Sequence, residues 1–164
     1  MAKKGQKANA LIAKFRKKWG DDSVVTASEM SRAPIPRIST GNFSLDVATY
    51  GGIPRGRITR FWGREKSSKS GSCVNVAIEA QKHCGICYER HCDCANRSPA
   101  NVLYLDLESK FAQGWAISHG LDPDHFFLVT PDSGNQGVDM VHAAITDEDS
   151  GFILVIVDSI AHLT

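Results

Sequence analysis

Predicted strands and helices alternate along most of this chain, and that alternation restricts its fold more than any other feature of the sequence. Short apolar segments typical of strands occupy residues 57–62, 102–107, 126–129 and 152–157. Segments with the helical spacing of apolar side chains lie between them, at residues 70–83, 111–119 and 136–146. Strands that alternate with helices form βαβ units, so the sequence predicts an α/β fold with a mainly parallel sheet flanked by helices and right-handed crossovers.

The last of these strands differs from the others in being apolar throughout. Residues 152–157 read FILVIV and contain no polar side chain. Continuous apolar runs are typical of strands that are covered on both faces. We therefore expect this strand to lie in the centre of the sheet.

The N-terminal region precedes the alternating part and has a different character. Leu11, Ile12, Phe15 and Trp19 follow helical spacing, which predicts an amphipathic helix over residues 8–19. Basic side chains crowd the same region: Lys3, Lys4, Lys7, Lys14, Arg16, Lys17 and Lys18. A basic helix face is commonly a solvated surface, and a binding surface is the alternative.

Prolines and glycines mark the passage from this helix to the core. Pro34 and Pro36 predict an extended connector over residues 30–37. A short helix at residues 44–50 and a glycine-rich turn follow it. We interpret residues 1–37 as an N-terminal helix and linker, and residues 38–164 as the core domain.

The charge balance and the absence of long apolar runs exclude several classes of protein. The sequence has 19 Lys and Arg residues against 18 Asp and Glu residues, a formal net charge of +1. This balance argues against a wholly basic surface but allows a local basic track. No apolar run approaches the roughly 20 residues that a membrane span needs, and the Lys-rich start lacks the apolar segment of a signal peptide. We therefore expect a cytoplasmic protein with reduced thiols and no membrane partner.

A candidate phosphate-binding loop joins the first predicted strand to the next helix. It reads GREKSSKS, against the pattern G-x-x-x-x-G-K-[ST]. Such a loop turns backbone N–H groups towards phosphates at a helix N-terminus, its lysine reaches the β- and γ-phosphates, and its hydroxyl ligates Mg²⁺. The residues assigned to the nucleotide are Gly63, Arg64, Glu65, Lys66, Ser67, Ser68, Lys69 and Ser70.

One anchor of this pattern is missing, because Ser68 stands where the pattern has its second glycine. A residue with a Cβ is strained at positive φ and crowds an approaching phosphate. The alternative interpretation is a polar loop that opens a helix, with Lys69 solvated. The position of the loop between a strand and a helix favours nucleotide binding.

Acidic residues end two of the other predicted strands. Asp158 follows the 152–157 strand and would face Mg²⁺ or its water shell; the alternative is that it caps the next turn. Glu108 follows the 102–107 strand and would polarise a water beside the γ-phosphate. Asp106 would share its strand face and point into the same region. On spacing alone, a solvated strand-end acid is the other interpretation of Glu108 and of Asp106.

Four of the five cysteines lie in one short stretch with the spacing C-x2-C-x4-C-x-C: Cys84, Cys87, Cys92 and Cys94. Four thiolates at this spacing predict a structural Zn²⁺ on an inserted hairpin at about residues 83–98. One alternative replaces a cysteine ligand by His83 or His91, which flank the stretch. The other is a reduced surface loop without metal.

Three segments carry a family resemblance. Residues 38–48 read ISTGNFSLDVA and residues 51–58 read GGIPRGRI, and both resemble the bacterial and phage RecA recombinase family just before its phosphate-binding loop. Residues 157–164 read VDSIAHLT and resemble the Walker B segment of the same family. The similarity runs from about residue 8 to residue 164, interrupted by the cysteine stretch, and it joins several motifs in order.

The resemblance implies a partial RecA-like P-loop NTPase core that binds ATP and Mg²⁺. It implies that Lys69 contacts the phosphates, that Ser70 and Asp158 hold Mg²⁺, and that Glu108 activates the attacking water. It also implies that Trp115 stacks on adenine, whereas without the family Trp115 would be interpreted as a core residue of an amphipathic helix. The N-terminal helix resembles the family element that packs on a neighbouring subunit.

The function that the resemblance implies is that of an ATP-dependent DNA recombinase, which forms a filament on single-stranded DNA and promotes homologous strand exchange in recombination and repair. The family's mobile DNA-binding loops and C-terminal domain come later, so we expect a truncated core with DNA contacts beyond Thr164. A degenerate subunit with weak or no hydrolysis, acting by assembly, is the second hypothesis. Ser68 and the early end favour it. Arg64 is a further departure from the family, which usually has proline at this position. A replicative helicase motor is a third hypothesis, which residues 38–58 disfavour.

Overall fold

A computed structural model describes residues 2–25 and 35–162 of the chain. Most of the predicted connector, residues 30–34, lies outside the described residues, as do the last two residues of the segment at 157–164. The side chains of Lys3, Lys4 and Lys7 lie outside them as well. The chain divides into two compact units, Met1–Pro34 and Ile35–Thr164.

The first unit contains one long helix. Helix α1 spans Ala2–Trp19 and is followed by a short 3-10 turn at Asp21–Ser23. The predicted helix over residues 8–19 is confirmed and begins earlier than expected. Gly20 ends it at φ 98°, a left-handed conformation that glycine adopts without strain.

The second unit carries the sheet and the remaining helices. Its elements in chain order are β1 (Arg37–Ile38), α2 (Phe43–Ala48), β2 (Ile53–Pro54), α3 (Lys69–Gln81), β3 (Asn101–Asp106), α4 (Gln113–Ser118), β4 (Phe126–Val129), α5 (Gly134–Thr146) and β5 (Phe152–Asp158). Strands β4, β3 and β5 form a three-stranded sheet in that order, and both pairings are parallel. The predicted α/β fold with a parallel sheet is confirmed. No helix in the described residues is long and apolar enough to cross a membrane.

The central strand of this sheet is β3 and not the continuous apolar strand β5. Five of the six residues of β3 are buried, whereas β5 has a single buried residue, Ile156. Strand β5 pairs with β3 along one side only in the described residues, and six of its seven residues are partly exposed. The expectation of a central position for residues 152–157 was wrong for the sheet in the described residues. A continuous apolar run indicates that both faces of a strand are covered, but it does not indicate how many strands pair with it.

The predicted strand at residues 57–62 does not form. These residues belong to no strand or helix and lead into the candidate phosphate-binding loop. Ile58 is 98% exposed and Trp62 is 86% exposed, while Phe61 packs against the core. A strand needs a hydrogen-bonding partner, and no strand in the described part of the chain lies beside this segment.

Helix α3 packs on β3 and β5 and supplies much of the core. The buried cluster includes Val74, Ala77 and Ala80 from α3 together with Val102 and Ile156 from the sheet. Burying a valine or isoleucine side chain fully contributes about 1.5–3 kcal/mol. This packing fixes the N-terminal end of α3 near the carboxyl ends of β3 and β5.

A reciprocal amide contact anchors the other end of α3. The buried Gln81 donates from Nε2 to the carbonyl of Asp122 over 2.8 Å and accepts from the Asp122 N–H over 2.9 Å. A buried amide is stabilising only when its donor and acceptor are both paired, as here. The axial position of α3 is therefore set at both ends.

The small β1–β2 hairpin packs beside the core and holds α2. Gly52 has φ 107°, and a Cβ built there would lie 2.0 Å from the carbonyl oxygen of Ile38, so only glycine fits. Asp46 of α2 accepts hydrogen bonds from the hydroxyl of Ser39 (2.6 Å), the N–H of Thr40 (2.8 Å) and the hydroxyl of Thr40 (2.7 Å). These bonds hold residues 39 and 40 against helix α2.

Candidate nucleotide-binding site

The loop before α3 adopts a strained turn at its serine. Ser68 lies at φ 58° and ψ 31°, in the left-handed region that glycine occupies most easily. Its carbonyl accepts from the N–H of Ser72 at 2.9 Å and from the Ser72 hydroxyl at 3.0 Å, so the first turn of the helix closes normally. The chain therefore makes the turn that the missing glycine would make, at a conformational cost of about 1 kcal/mol.

Lys69 points back into the loop that precedes it. Its Nζ donates to the carbonyl of Gly63 at 3.1 Å and to the carbonyl of Arg64 at 2.8 Å. The ammonium group is therefore enclosed by the loop backbone, next to the N-terminus of α3. The positive end of the helix dipole and this ammonium together favour an anion at the loop.

Ser70 and Asp158 meet although 88 residues separate them in the chain. The Ser70 hydroxyl donates to Oδ2 of Asp158 over 2.6 Å. The same carboxylate oxygen accepts from the hydroxyl of Tyr104 over 2.7 Å. A hydroxyl and a carboxylate at a sheet edge are oxygen ligands of the kind that Mg²⁺ takes in phosphate sites. These residues fit a magnesium ion by the chemistry of their donors.

The carboxylate of Asp158 shapes the electrostatics of its neighbours. Burial, together with the hydrogen bond to Asp158, raises the pKa of Tyr104 well above its usual range. Burial and the negative charge of Asp158 raise the pKa of Cys73 to about 11. Both groups are therefore neutral at physiological pH, which leaves Asp158 beside two uncharged neighbours.

Glu108 lies just past the end of β3 and is held by two other side chains. Lys110 donates to Oε2 over 2.8 Å, and Ser159 donates to Oε1 over 3.1 Å. The hydrogen bond that Lys110 donates to Glu108 also raises the pKa of Lys110. The carboxylate is thus fixed at the edge where β3 and β5 end together.

Asp106 has a different place from the predicted one. Its carboxylate is buried and accepts from the N–H of Glu108 at 3.2 Å and from the N–H of Phe111 at 2.8 Å. It shapes the turn after β3 and does not line the cavity described next. The expectation that it points into the same region as Glu108 was wrong, because the chain turns immediately after β3 and the strand alternation no longer applies.

A cavity of about 280 Å³ lies between the loop, the ends of β3 and β5, and helix α4. Trp115 forms part of its wall and is 43% exposed. Its ring edge approaches α3, since a Cβ built at Gly71 would lie 3.7 Å from Cη2 of Trp115. The lining side chains combine hydroxyl and acid groups with apolar surface: Ser68, Ser70, Val74, Tyr104, Glu108, Lys110, Phe111, Ala112, Trp115 and Asp158.

The structure brings together five of the eleven residues that the sequence analysis assigned to the nucleotide site. Ser68, Ser70, Glu108, Trp115 and Asp158 share this one cavity. The remaining loop residues are not among those that line it: Gly63, Arg64, Glu65, Lys66, Ser67 and Lys69.

Two polar contributors to the cavity, Tyr104 and Lys110, were missed from the sequence. Tyr104 lies in a buried strand, and apolar patterning gives no sign that its hydroxyl reaches Asp158. Lys110 was missed as well, although its position two residues after Glu108 in a predicted turn allowed a local ion pair.

The cysteine stretch forms a second cluster, away from this cavity. One ligand atom from each of the four residues lies within 4.8 Å of the others: Cys84, Cys87, Cys92 and Cys94. Cys84 is fully buried, and Cys87 is exposed. Backbone N–H groups of Cys87 and Ile86 lower the pKa of Cys84 to about 6, while the neighbouring Cys87 and Cys92 thiols raise the pKa of Cys94 to about 12.

The fold and the sheet-edge cavity define an α/β domain of the kind that binds ligands at the carboxyl ends of parallel strands. The family model of the RecA N-terminal domain matches residues 6–164 of the chain. The chain therefore belongs to the RecA family, and the resemblance seen in residues 38–58 and 157–164 is confirmed.

Individual relatives agree with the family match. The chain is 33% identical to Protein RecA of Desulfotalea psychrophila over 163 residues, which cover 99% of this chain and 41% of that protein. It is 30% identical to Protein RecA of Saccharopolyspora erythraea over 161 residues, covering 98% and 42% of the two chains. It is 29% identical to Protein RecA of Aquifex pyrophilus over 165 residues, covering 99% and 42%. The chain thus spans about two fifths of the length of these relatives.

Proposed function

We propose that this chain is the nucleotide-binding part of an ATP-dependent DNA recombinase. The observation that carries the proposal is the 2.6 Å contact between Ser70 and Asp158, which joins the loop to the end of β5 inside a RecA-family fold. Chance placement of a strand-end acid would not bring it to the one hydroxyl that the loop pattern requires. The contact therefore supports a shared role for the two residues in holding Mg²⁺.

The loop and its lysine are proposed to hold the phosphates. Among the described hydrogen bonds, the ammonium group of Lys69 donates only to carbonyls of the loop. It is therefore available to contact a ligand at the loop. In this proposal the ammonium exchanges those carbonyls for phosphate oxygens. Mg²⁺, when bound, neutralises charge on the phosphates, and Ser70 and Asp158 would hold it.

Glu108 is proposed to orient and polarise the attacking water. It lines the cavity, and Lys110 and Ser159 hold the carboxylate in place. A general base must be positioned before its pKa matters, and the contact with Ser159 gives that positioning. Trp115, half exposed in the same cavity, offers a flat apolar surface for the adenine base.

Single-stranded DNA and further copies of the chain are the proposed partners. The relatives are recombinase-family proteins more than twice as long, so DNA contact is assigned to no residue described above. Helix α1 presents Leu11 and Trp19, which are 50% and 59% exposed, and we assign it to contact with a neighbouring subunit in a filament. The zinc ion predicted from the cysteine pattern has no reactant role in this function, because its candidate ligands are absent from the cavity lining.

A degenerate subunit that assembles without hydrolysis is the second candidate function. The observation that favours it is the side chain of Ser68, which lines the cavity from a left-handed position where the loop pattern has glycine. Its Cβ and hydroxyl occupy space beside the N-terminus of α3. Weak nucleotide affinity would follow if phosphate has to displace this side chain.

Nucleotide titration of the full-length protein separates these functions. Wild type is expected to bind ATP in the presence of Mg²⁺, and Lys69→Ala is expected to bind about 10- to 100-fold more weakly, since a charge-assisted hydrogen bond contributes about 1.5–3 kcal/mol. Lys82→Ala is the matched control, because Lys82 lies at the other end of α3 and pairs with Glu79.

Hydrolysis is measured with and without single-stranded DNA. The recombinase proposal expects DNA-stimulated hydrolysis by wild type and its loss in Glu108→Gln with nucleotide binding retained. Binding without hydrolysis in wild type, or binding by Ser68→Gly alone, would establish the degenerate subunit instead. Absence of ATP binding in both wild type and Ser68→Gly would refute the recombinase proposal.

A further inference from the structure

The cysteine cluster is built from two short segments that face each other. Cys84 and Cys87 form one half, Cys92 and Cys94 form the other, and none of the four is in a disulfide. Their ligand atoms all lie within 4.8 Å of one another. Four unlinked thiols rarely converge in this way without a common ligand, because each would be solvated separately if it were only part of a surface loop.

The spacing of the sulfur atoms fits a single ion. A Zn–S bond of about 2.3 Å in a tetrahedron puts neighbouring sulfurs about 3.8 Å apart, so the observed separations need less than about 1 Å of closure. An iron–sulfur cluster places its own iron and sulfide atoms between the thiolates and would hold them farther apart. Compact tetrahedral thiolate sites without sulfide are typical of zinc.

The backbone around the first half is shaped for a metal ligand. The N–H of Ile86 donates to the Cys84 sulfur at 3.4 Å, and the N–H of Tyr88 donates to the Cys84 carbonyl at 2.8 Å. Cys84 itself donates to the carbonyl of Glu89 at 2.9 Å. A turn closed in this way directs N–H groups at a thiolate, which stabilises its negative charge.

Neither flanking histidine belongs to the ligand set in the described residues. His83 is buried, and its Nδ1 lies 3.2 Å from the carbonyl of Glu79 in the last turn of α3. His91 is exposed and is not part of the cluster. The four sulfurs therefore complete a tetrahedral set without nitrogen.

We propose that Cys84, Cys87, Cys92 and Cys94 bind one structural Zn²⁺ that fastens the inserted segment to the RecA core. On binding, each thiol releases its proton to solvent and its sulfur donates an electron pair to the ion, with no change in oxidation state. The site is closed, because four protein ligands complete the coordination of zinc and leave no position for a substrate.

Backbone hydrogen bonds join the inserted segment to the core, and they show which elements a zinc ion at the cluster would connect. Gly85 donates to the carbonyl of Ser98 at 2.8 Å, and Ala100 donates to the carbonyl of His83 at 2.9 Å. The cluster therefore closes the connection between the end of α3 and the start of β3. Arg55, in the segment at residues 51–58, also donates to the carbonyl of Tyr88 at 2.9 Å. The segment before the loop therefore contacts the cysteine stretch as well.

Metal content of the full-length protein tests the proposal. Protein purified without chelators is expected to contain one zinc per chain, and Cys87→Ser and Cys92→Ser are expected to lose it. Cys73→Ser is the matched control, because this fifth cysteine lies in α3 outside the cluster and its loss should leave zinc unchanged. Replacement of zinc by Co²⁺ should give the visible absorption of a tetrahedral thiolate site.

A second measurement covers the case in which the serine variants fail to fold. In wild type, a zinc chelator should make four additional thiols reactive towards a thiol reagent, and peptide mapping should locate them at the cluster. Metal-free wild-type protein, zinc retained by both folded cluster variants, or iron with acid-labile sulfide in the purified protein would each overturn the proposal.

Discussion

The phenol of Tyr104 and the carboxylate of Asp158 are joined by a 2.7 Å hydrogen bond between neighbouring strands of the sheet. The tyrosine is almost fully buried, and its ring packs against Phe111 and Phe126 at centroid distances of 5.0 Å and 5.7 Å. The hydroxyl therefore has a fixed position from which it orients the acid at the candidate magnesium site.

Replacing Tyr104 by phenylalanine should remove this orientation without creating a cavity. We expect the free energy of unfolding to fall by about 1.5 kcal/mol, the lower end for a hydrogen bond to a charged group, and the affinity for ATP with Mg²⁺ to fall several-fold. Urea unfolding and nucleotide titration measure the two effects. Tyr50→Phe, at a residue that is 89% exposed, is the control and should change neither. Unchanged stability and affinity in Tyr104→Phe would show that Ser70 alone positions the acid.

Replacing Ser68 by glycine should stabilise the protein. Ser68 is held at φ 58°, and glycine adopts this conformation without the steric cost, although it loses more backbone entropy on folding. The balance predicts an increase of about 0.5–1 kcal/mol in the free energy of unfolding. Ser67→Gly is the matched control, because Ser67 is not among the residues with positive φ and the same change should destabilise there. Equal effects at the two positions would contradict the strain at Ser68.

Replacing Asp46 should loosen the contact of residues 39 and 40 with helix α2. Asp46→Ala leaves the buried N–H of Thr40 without its acceptor and removes the hydroxyl bonds from Ser39 and Thr40, so we expect a loss of about 2 kcal/mol in the free energy of unfolding. Chemical denaturation measures it. Asp139→Asn, at an exposed position of α5, is the control for the loss of one carboxylate and should have little effect.

The contribution of Asp46 should also depend on pH. Burial raises its pKa, but hydrogen bonds from Ser39 and Thr40 more than offset this and hold the pKa below its ordinary value of 3.8. A lowered pKa in the folded state means that the stabilisation is present above about pH 3.8 and is lost as the pH falls through the folded value. The stability difference between wild type and Asp46→Asn should therefore be constant near neutral pH and shrink below pH 3.8. A difference that is independent of pH would contradict this assignment.

The thiol of Cys73 should react slowly near neutral pH. Burial and the charge of Asp158 raise its pKa to about 11, and only the thiolate is alkylated. Mass spectrometry of the peptide that carries Cys73 should show alkylation that accelerates as the pH approaches 11. Asp158→Asn removes the second cause and should accelerate the reaction at pH 9. Rapid alkylation of Cys73 in folded wild type at pH 7 would rule out this environment.

The spacing of apolar residues predicted the helices and strands whose type depends on their own sequence. Strand β4 coincides with the predicted residues 126–129, and α3 differs from its prediction by one or two residues at each end. The apolar spacing of these segments decides both their type and their buried face. Asp158 was singled out for the same reason, since it ends an apolar strand.

Features that depend on distant residues were not available from the sequence. The segment at residues 57–62 has strand-like composition, but pairing is decided by a partner elsewhere in the chain. The edge position of β5 depends likewise on its neighbours in the sheet. The contact of Tyr104 with Asp158 crosses 54 positions, and no periodicity within either strand encodes it. The proposed role of Trp115 beside the adenine base came from the family resemblance, whereas spacing alone assigned Trp115 to the core.

The hydrogen bond between Ser70 and Asp158 has a consequence for the order of events during synthesis. The loop with Lys69 leaves the ribosome long before β5, and a chain interrupted anywhere between them has only half of the candidate magnesium site. Closing a connection of 88 residues has an entropic cost that the packing of α3, β3 and β5 must offset together. On the proposed function, full affinity for ATP with Mg²⁺ would emerge on the growing chain once β5 has paired with β3 and Asp158 lies beside Ser70.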